Sequence, residues 1–107
     1  MKRRAIVYGN GAKGDILGVA DYISRDSPTN ANGVLERIEN RIVTLDILAA
    51  RGRVVPELKW HGITSIREII EKHWRILYQI RSSEVIIVAV YDGRRQLGDV
   101  ILERCLN

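Results

Sequence analysis

The chain reads as a single α+β domain: an N-terminal strand, an antiparallel helical hairpin, a three-stranded antiparallel sheet and a short C-terminal helix. Three observations predict this. Apolar residues recur at helical spacing from Ile16 to Leu45, alternate at strand spacing from Ile66 to Ile80, and run unbroken from Val85 to Tyr91. The 107 residues match one ordinary domain, so 1–107 is read as one unit. No repeat or linker interrupts it.

Ala5 to Tyr8 is a short apolar run that stops at Gly9-Asn10-Gly11, which predicts a first strand. From Ala12 the period lengthens, and Ile16, Leu17, Ala20 and Ile23 share a helix face that ends near Ser24-Arg25. Asp26-Ser27-Pro28 then marks a stop and a restart, with Ser27 as N-cap and Pro28 at the first helical position. A second helix carries Ala31, Leu35, Ile38, Ile42 and Leu45 and is expected to reach Ala49 or Ala50. Arg51 to Thr64 holds Gly52, Pro56 and Gly62 and shows no period, which reads as a loop. Ile66–Glu71 and the segment from Trp74 to Arg81 follow as strands. Val85–Tyr91, apolar throughout, is expected to be central and covered on both faces. Asp92-Gly93 ends it, and Leu97, Val100, Ile101 and Cys105 permit a short helix.

Charge and cysteine content narrow the classes of function. Seventeen Lys plus Arg against thirteen Asp plus Glu give a net +4, and the cations are mostly arginine, the residue suited to planar, bidentate contacts. A polyanion or an acidic protein partner is expected. The one cysteine, Cys105, excludes an intramolecular disulfide and a cysteine-built metal cluster. The N-terminal apolar run is too short for a signal peptide and the longest run too short for a membrane helix, so no membrane association and a cytoplasmic location are expected.

Few motifs carry chemistry. Gly9-Asn10-Gly11-Ala12-Lys13-Gly14 spells GxGxxG, but the helix after it is followed by another helix and not by a second parallel strand, so it reads as a flexible turn and not a dinucleotide site. Asp15-Ile16 after Gly14 excludes a P-loop. His61 and His73 have no partner at helical spacing, so no metal site is expected, and no nucleophile elbow is present. No cofactor is expected. Trp60 and Trp74 read as packing residues. The arginines stand out: Arg37 and Arg41 on the second helix, Arg51 and Arg53 after it, and Arg67, Arg75, Arg81, Arg94 and Arg95 on or beside the sheet. Arg75 is the unusual one, because it lies inside an apolar strand and must reach a carboxylate, a phosphate or water.

Several segments together resemble the RelE/ParE toxin superfamily of type II toxin–antitoxin systems. They are Ala20-Asp21-Tyr22-Ile23-Ser24-Arg25-Asp26-Ser27-Pro28, Leu35-Glu36-Arg37-Ile38-Glu39, Arg51-Gly52-Arg53-Val54-Val55-Pro56-Glu57-Leu58, Ile66-Arg67-Glu68-Ile69-Ile70, Trp74-Arg75-Ile76-Leu77-Tyr78-Gln79-Ile80 and Asp92-Gly93-Arg94-Arg95. The resemblance spans roughly Ile16 to Leu97. It implies a helical hairpin packed on a small antiparallel sheet and a cognate antitoxin whose C-terminal segment wraps the toxin. It also implies one of two mechanisms. RelE-like members cut mRNA in the ribosome, and ParE-like members poison DNA gyrase.

In that resemblance Arg75 matches the strand arginine of the ribonuclease members, and Arg95 matches their arginine after the last strand. Their paired lysines are absent, with Glu68 and Glu71 standing on that strand and expected to face an incoming phosphate. Their C-terminal catalytic tyrosine is absent too, Ile101 or a neighbour standing near its place. Without a group to move a proton, the chemistry loses a factor typically near 10²–10⁴. The ParE-like, gyrase-directed reading is therefore preferred, with Arg75, Arg94, Arg95 and Arg67 as target-binding candidates. The alternatives are a ribosome-dependent endoribonuclease using Arg75, Arg95 and His73, whose partners would be the ribosome and mRNA, and a toxin fold whose activity has decayed.

Overall fold

The computed structural model describes residues 3–25 and 27–106. The elements in order are β1 (Ala5–Tyr8), α1 (Asn10–Ser24), α2 (Pro28–Val43), β2 (Arg53–Val54), α3 (Pro56–Lys59), β3 (Ile66–Glu71), β4 (Trp74–Ile80), β5 (Glu84–Asp92) and α4 (Gly98–Leu106). The fold class is the expected α+β, but the sheet is larger. Among the described residues it has five strands in the order β1-β5-β4-β3-β2, and it is mixed because β1 runs parallel to β5. β3, β4 and β5 form the expected antiparallel core, while β1 and the two-residue β2 complete the flanks.

Three local expectations change. The Gly9–Gly14 segment is not a flexible turn: Gly9 caps α1, its carbonyl accepts from the Lys13 amide at 3.0 Å, and the glycines after it sit inside the first turns of the helix. The second helix stops at Val43 instead of Ala49 or Ala50. Thr44 Oγ1 donates to the Arg41 carbonyl at 2.6 Å, and the chain tightens into a 3₁₀ turn at Thr44–Asp46. The stretch from Arg51 to Thr64 contains β2 and the single-turn α3, opened by Pro56. The predicted start of α2 holds, with Ser27 Oγ accepting from the Asn30 amide at 3.3 Å. Asp26 lies outside the described residues.

The sheet is covered on both faces, as the unbroken apolar run of β5 requires. On one face α1 and α2 bury Val19, Val34, Ile38 and Ile42 against Ile69, Trp74, Ile76, Tyr78, Val85 and Ile87. On the other, α3, α4 and the residue before it bring Leu58, Ile101 and Leu97 onto Ile66, Leu77, Ala89 and Tyr91. A side chain such as Ile38 or Ile42, with no exposed surface, contributes about 1.5–3 kcal/mol from burial. The pairing of β4 with β5 has one irregularity. The register slips at Leu77/Tyr78, where Leu77 faces Ala89 but Tyr78 faces Ile87, so Val88 is an extra residue in β5. The bulge lets Val85, Ile87 and Val90 share one face while Ala89 and Tyr91 share the other.

Candidate functional site

β1 pairs with β5 only from Glu84 to Ile87. Beyond that point the chain leaves the sheet, as the Gly9 amide donates to the Ile87 carbonyl at 2.9 Å and α1 begins. Among the described residues, the second half of β5, from Val88 to Asp92, therefore has no strand on that side. This free edge is the floor of a groove of about 770 Å³. α1 forms one wall with Gly14, Gly18, Val19 and Tyr22, and α4 and the turn before it form the other with Leu97 and Val100. A Cβ at Gly14 or Gly18 would meet nothing within 4 Å, and the missing side chains keep the wall low and the groove open.

The groove is apolar in its walls and ionic at its floor. Asp15 Oδ2 accepts from the Val90 amide at 2.9 Å, and Arg104 Nη1 donates to the Val88 carbonyl at 3.1 Å. The two side chains also bond each other at 3.1 Å through both carboxylate oxygens. The hydrogen bond with Asp15 raises the Arg104 pKa. Arg104 also lies over the Tyr91 ring, 5.4 Å from its centroid, while the Tyr91 hydroxyl is buried and finds no protein partner among the described residues. Burial raises the Tyr91 pKa.

Arg75 is placed elsewhere, on the face covered by α3 and α4. Its Nη1 and Nη2 donate to the two carboxylate oxygens of Glu57 at 2.6 and 2.7 Å, and its Nε donates to Glu68 at 2.6 Å. Arg53 reaches the same Glu68 at 2.8 Å. The residue is 9% exposed, and the Glu57 hydrogen bonds push its pKa further up while holding that of Glu57 down. Glu68 and Glu71 do not face a common ligand. They emerge on opposite faces of β3, because they are three residues apart in a strand of period two. Glu71 meets Arg41 at 3.0 Å and Arg37 at 3.8 Å, tying α2 to the sheet.

The remaining predicted residues are scattered. Arg67 lies on the opposite face of β3 from Glu68 and donates to the Gly52 carbonyl at 2.7 Å. Arg94 is exposed and clamps Asp92 at 2.9 Å, holding the Asp92 pKa down at about 2. Arg95 is exposed at the mouth of the groove and makes no ion pair among the described residues. His73 sits in the β3–β4 turn beside Lys72, whose φ is 57°, and its ring lies 4.5 Å from that of Trp74. His73 Nε2 is buried with no hydrogen-bond partner among the described residues. Gly93 links the two regions: its amide donates to the His73 carbonyl at 2.7 Å, and any Cβ there would lie 3.0 Å from the Arg75 stem. Arg75 thus supports the turn that presents Arg94 and Arg95, and the structure does not bring the four arginines onto one surface.

Asp15, Glu57 and Arg104 were not singled out by sequence reasoning. Asp15 and Arg104 are 89 residues apart in the chain, and no local pattern marks such a pair. Among the described residues, no group of three or more His, Cys, Asp or Glu lies together to hold a metal, and no helix is long and apolar enough to cross a membrane. The groove offers a strand edge, apolar walls and, in Arg95, a cation without an ion pair among the described residues.

Comparison with known proteins agrees with this architecture. The sequence model of the family described as the ParE toxin of type II toxin–antitoxin system, parDE, matches residues 6–97. A solved structure titled "Chromosomal ParDE TA system from P. aeruginosa" superposes with a TM-score of 0.70 over 84% of this chain and 96% of that one, at 16% identity, a likeness of fold. No curated protein matches the sequence.

Proposed function

This chain belongs to the ParE toxin family of type II toxin–antitoxin systems, and we propose that it acts in the cytoplasm by binding DNA gyrase, without RNA cleavage, and is neutralised by an antitoxin. One observation carries the choice between binding and catalysis. Four donor contacts of Arg75 run to Glu57 and Glu68, so the strand arginine that would neutralise a phosphate is already engaged by carboxylates. Cleavage by a 2′-hydroxyl also needs groups that take and give a proton. Arginine stays protonated, and His73, the nearby group of suitable chemistry, has its Nε2 buried.

Arg94 and Arg95 are the target-facing cations on this reading, with Arg75 positioning their turn and Arg67 bracing the far side of the sheet. The antitoxin occupies the groove. Its recessed floor suits a single extended segment, because a second folded copy would bring its own α1 and α4 against these walls. Exposed Arg95 and the net +4 favour an acidic segment. Such a segment would also cover Arg95, so neutralisation follows from occupancy.

The test reads two assays side by side. Purified toxin is expected to inhibit gyrase supercoiling with no ribosome present and to leave mRNA intact on translating ribosomes. Ribosome-dependent cleavage by the wild type that disappears in His73→Gln would replace this reading with that of a ribonuclease.

A further inference from the structure

Asp15 and Arg104 do more than join α1 to α4. A tether between two helices needs only the ion pair, yet each side chain also holds a backbone group of β5. Asp15 takes the Val90 N–H at 2.9 Å and Arg104 takes the Val88 carbonyl at 3.1 Å. These donor and acceptor groups point away from β4, the direction in which another strand would be added. Side chains therefore stand where a neighbouring strand would supply its own N–H and C=O. Both are largely shielded, with 15% of the Asp15 side chain and 30% of the Arg104 side chain exposed. Gly11 makes room for the arrangement: a Cβ at that position would lie 2.5 Å from Arg104 Nη1.

We propose that Asp15 and Arg104 form a latch on the unpaired half of β5, closing the edge in the free chain and opening when an extended antitoxin segment pairs with Val88–Asp92. The inference rests on the reading that the antitoxin lies in the groove. The incoming strand and the latch need the same two backbone groups, so they exclude one another. A closed latch also protects an apolar half-strand from unwanted pairing, which inward-facing charges do at sheet edges. The open state is the binding-competent one, and its population sets the apparent affinity.

The consequence runs against the usual expectation for residues lining a binding groove. Weakening the latch strengthens binding. Trp74 lines the groove and reports its occupancy by fluorescence once the 89% exposed Trp60 is replaced in a Trp60→Phe background. In that background, Asp15→Asn and Arg104→Gln are titrated with the purified cognate antitoxin. Each is expected to lower the apparent Kd by about tenfold, as when a competent state rises from about a tenth of the population to most of it. Equal or weaker binding by both variants overturns the latch. Asp15→Asn keeps an acceptor for the Val90 amide and carries the test if Arg104→Gln melts early.

Hydrogen exchange on the free chain separates the latch from the reading beneath it. Arg104 does not touch the Val90 amide, so faster Val90 exchange in Arg104→Gln is expected only if the two side chains open together. Unchanged exchange overturns the latch even if the antitoxin binds. Failure of the wild type to bind the antitoxin overturns the groove reading, and the exchange result then judges the latch alone.

Discussion

Arg75 and Glu57 face each other through two parallel hydrogen bonds of 2.6 and 2.7 Å, one guanidinium nitrogen to each carboxylate oxygen. The pair joins β4 to α3, two elements whose connection the sequence reads as a loop and a strand with no stated relation. It also changes what Arg75 is for. A cation engaged on one side by Glu57 and on the other by Glu68 organises the surface instead of meeting the target.

Arg75→Ala is therefore expected to act through stability. Removing the arginine leaves two carboxylates together in a largely shielded site, a change that costs about 3 kcal/mol or more. Arg94→Ala is expected to leave the melting temperature unmoved, because Arg94 and Asp92 pair at an exposed turn. Urea denaturation of both variants, read beside a growth assay, checks this. Toxicity lost in Arg94→Ala without loss of stability would mark Arg94 as a contact to the target.

Acid should weaken the same network. Hydrogen bonds from Arg75 hold the Glu57 pKa below its ordinary 4.5. A group whose folded pKa is depressed adds stability that is complete above its unfolded pKa and is lost as pH falls through the folded one. Melting temperature should hold down to roughly pH 5 and then fall as the pH drops through the lowered Glu57 pKa. Glu57→Gln should start lower and fall less steeply; a parallel curve would show that Glu57 contributes no such linkage.

Gly52 and Tyr78 offer a sharper test of packing. The Tyr78 hydroxyl accepts from the Gly52 amide at 3.0 Å and donates to the Ala49 carbonyl at 2.6 Å, stitching the chain after α2 to β4. A Cβ at Gly52 would lie 2.6 Å from the Glu68 carbonyl oxygen and closer still to the Tyr78 hydroxyl. Gly52→Ala should cost about 2–3 kcal/mol, for lack of space. Tyr78→Phe should cost about 1–3 kcal/mol, for the buried groups it leaves unpaired. Thermal unfolding of each, with far-UV dichroism unchanged, is the measurement.

Salt should separate steering from anchoring in the antitoxin complex. Raising it to about 0.5 M shortens the screening length to several Å. Association with the acidic segment should slow markedly while dissociation changes little, since apolar contacts in the groove hold the complex. Stopped-flow rates across the salt series decide it. Dissociation rising in step with slower association would assign the anchoring to the charges.

Hydrophobic period is a local property, and it was enough for the helical hairpin, for β3, β4 and β5, and for the expectation that β5 is covered on both faces. The unusual position of Arg75 in an apolar strand was legible for the same reason. β2, only two residues long, and α3, a single turn, leave no period to read. The parallel pairing of β1 with β5 joins residues far apart in the chain, as Ala5 with Glu84.

The candidate site depended on tertiary structure throughout. The sequence by itself determined that the chain has an arginine needing a partner, an apolar central strand and a helical hairpin before it. Only the folded structure decided that the arginine is satisfied by Glu57 and Glu68, that β1 covers half of β5, and that Asp15 and Arg104 close the other half. Pairing partners, a strand's free edge and the space beside a glycine are relations between segments distant in the chain. They exist only once the sheet has formed and the helices have packed on its two faces.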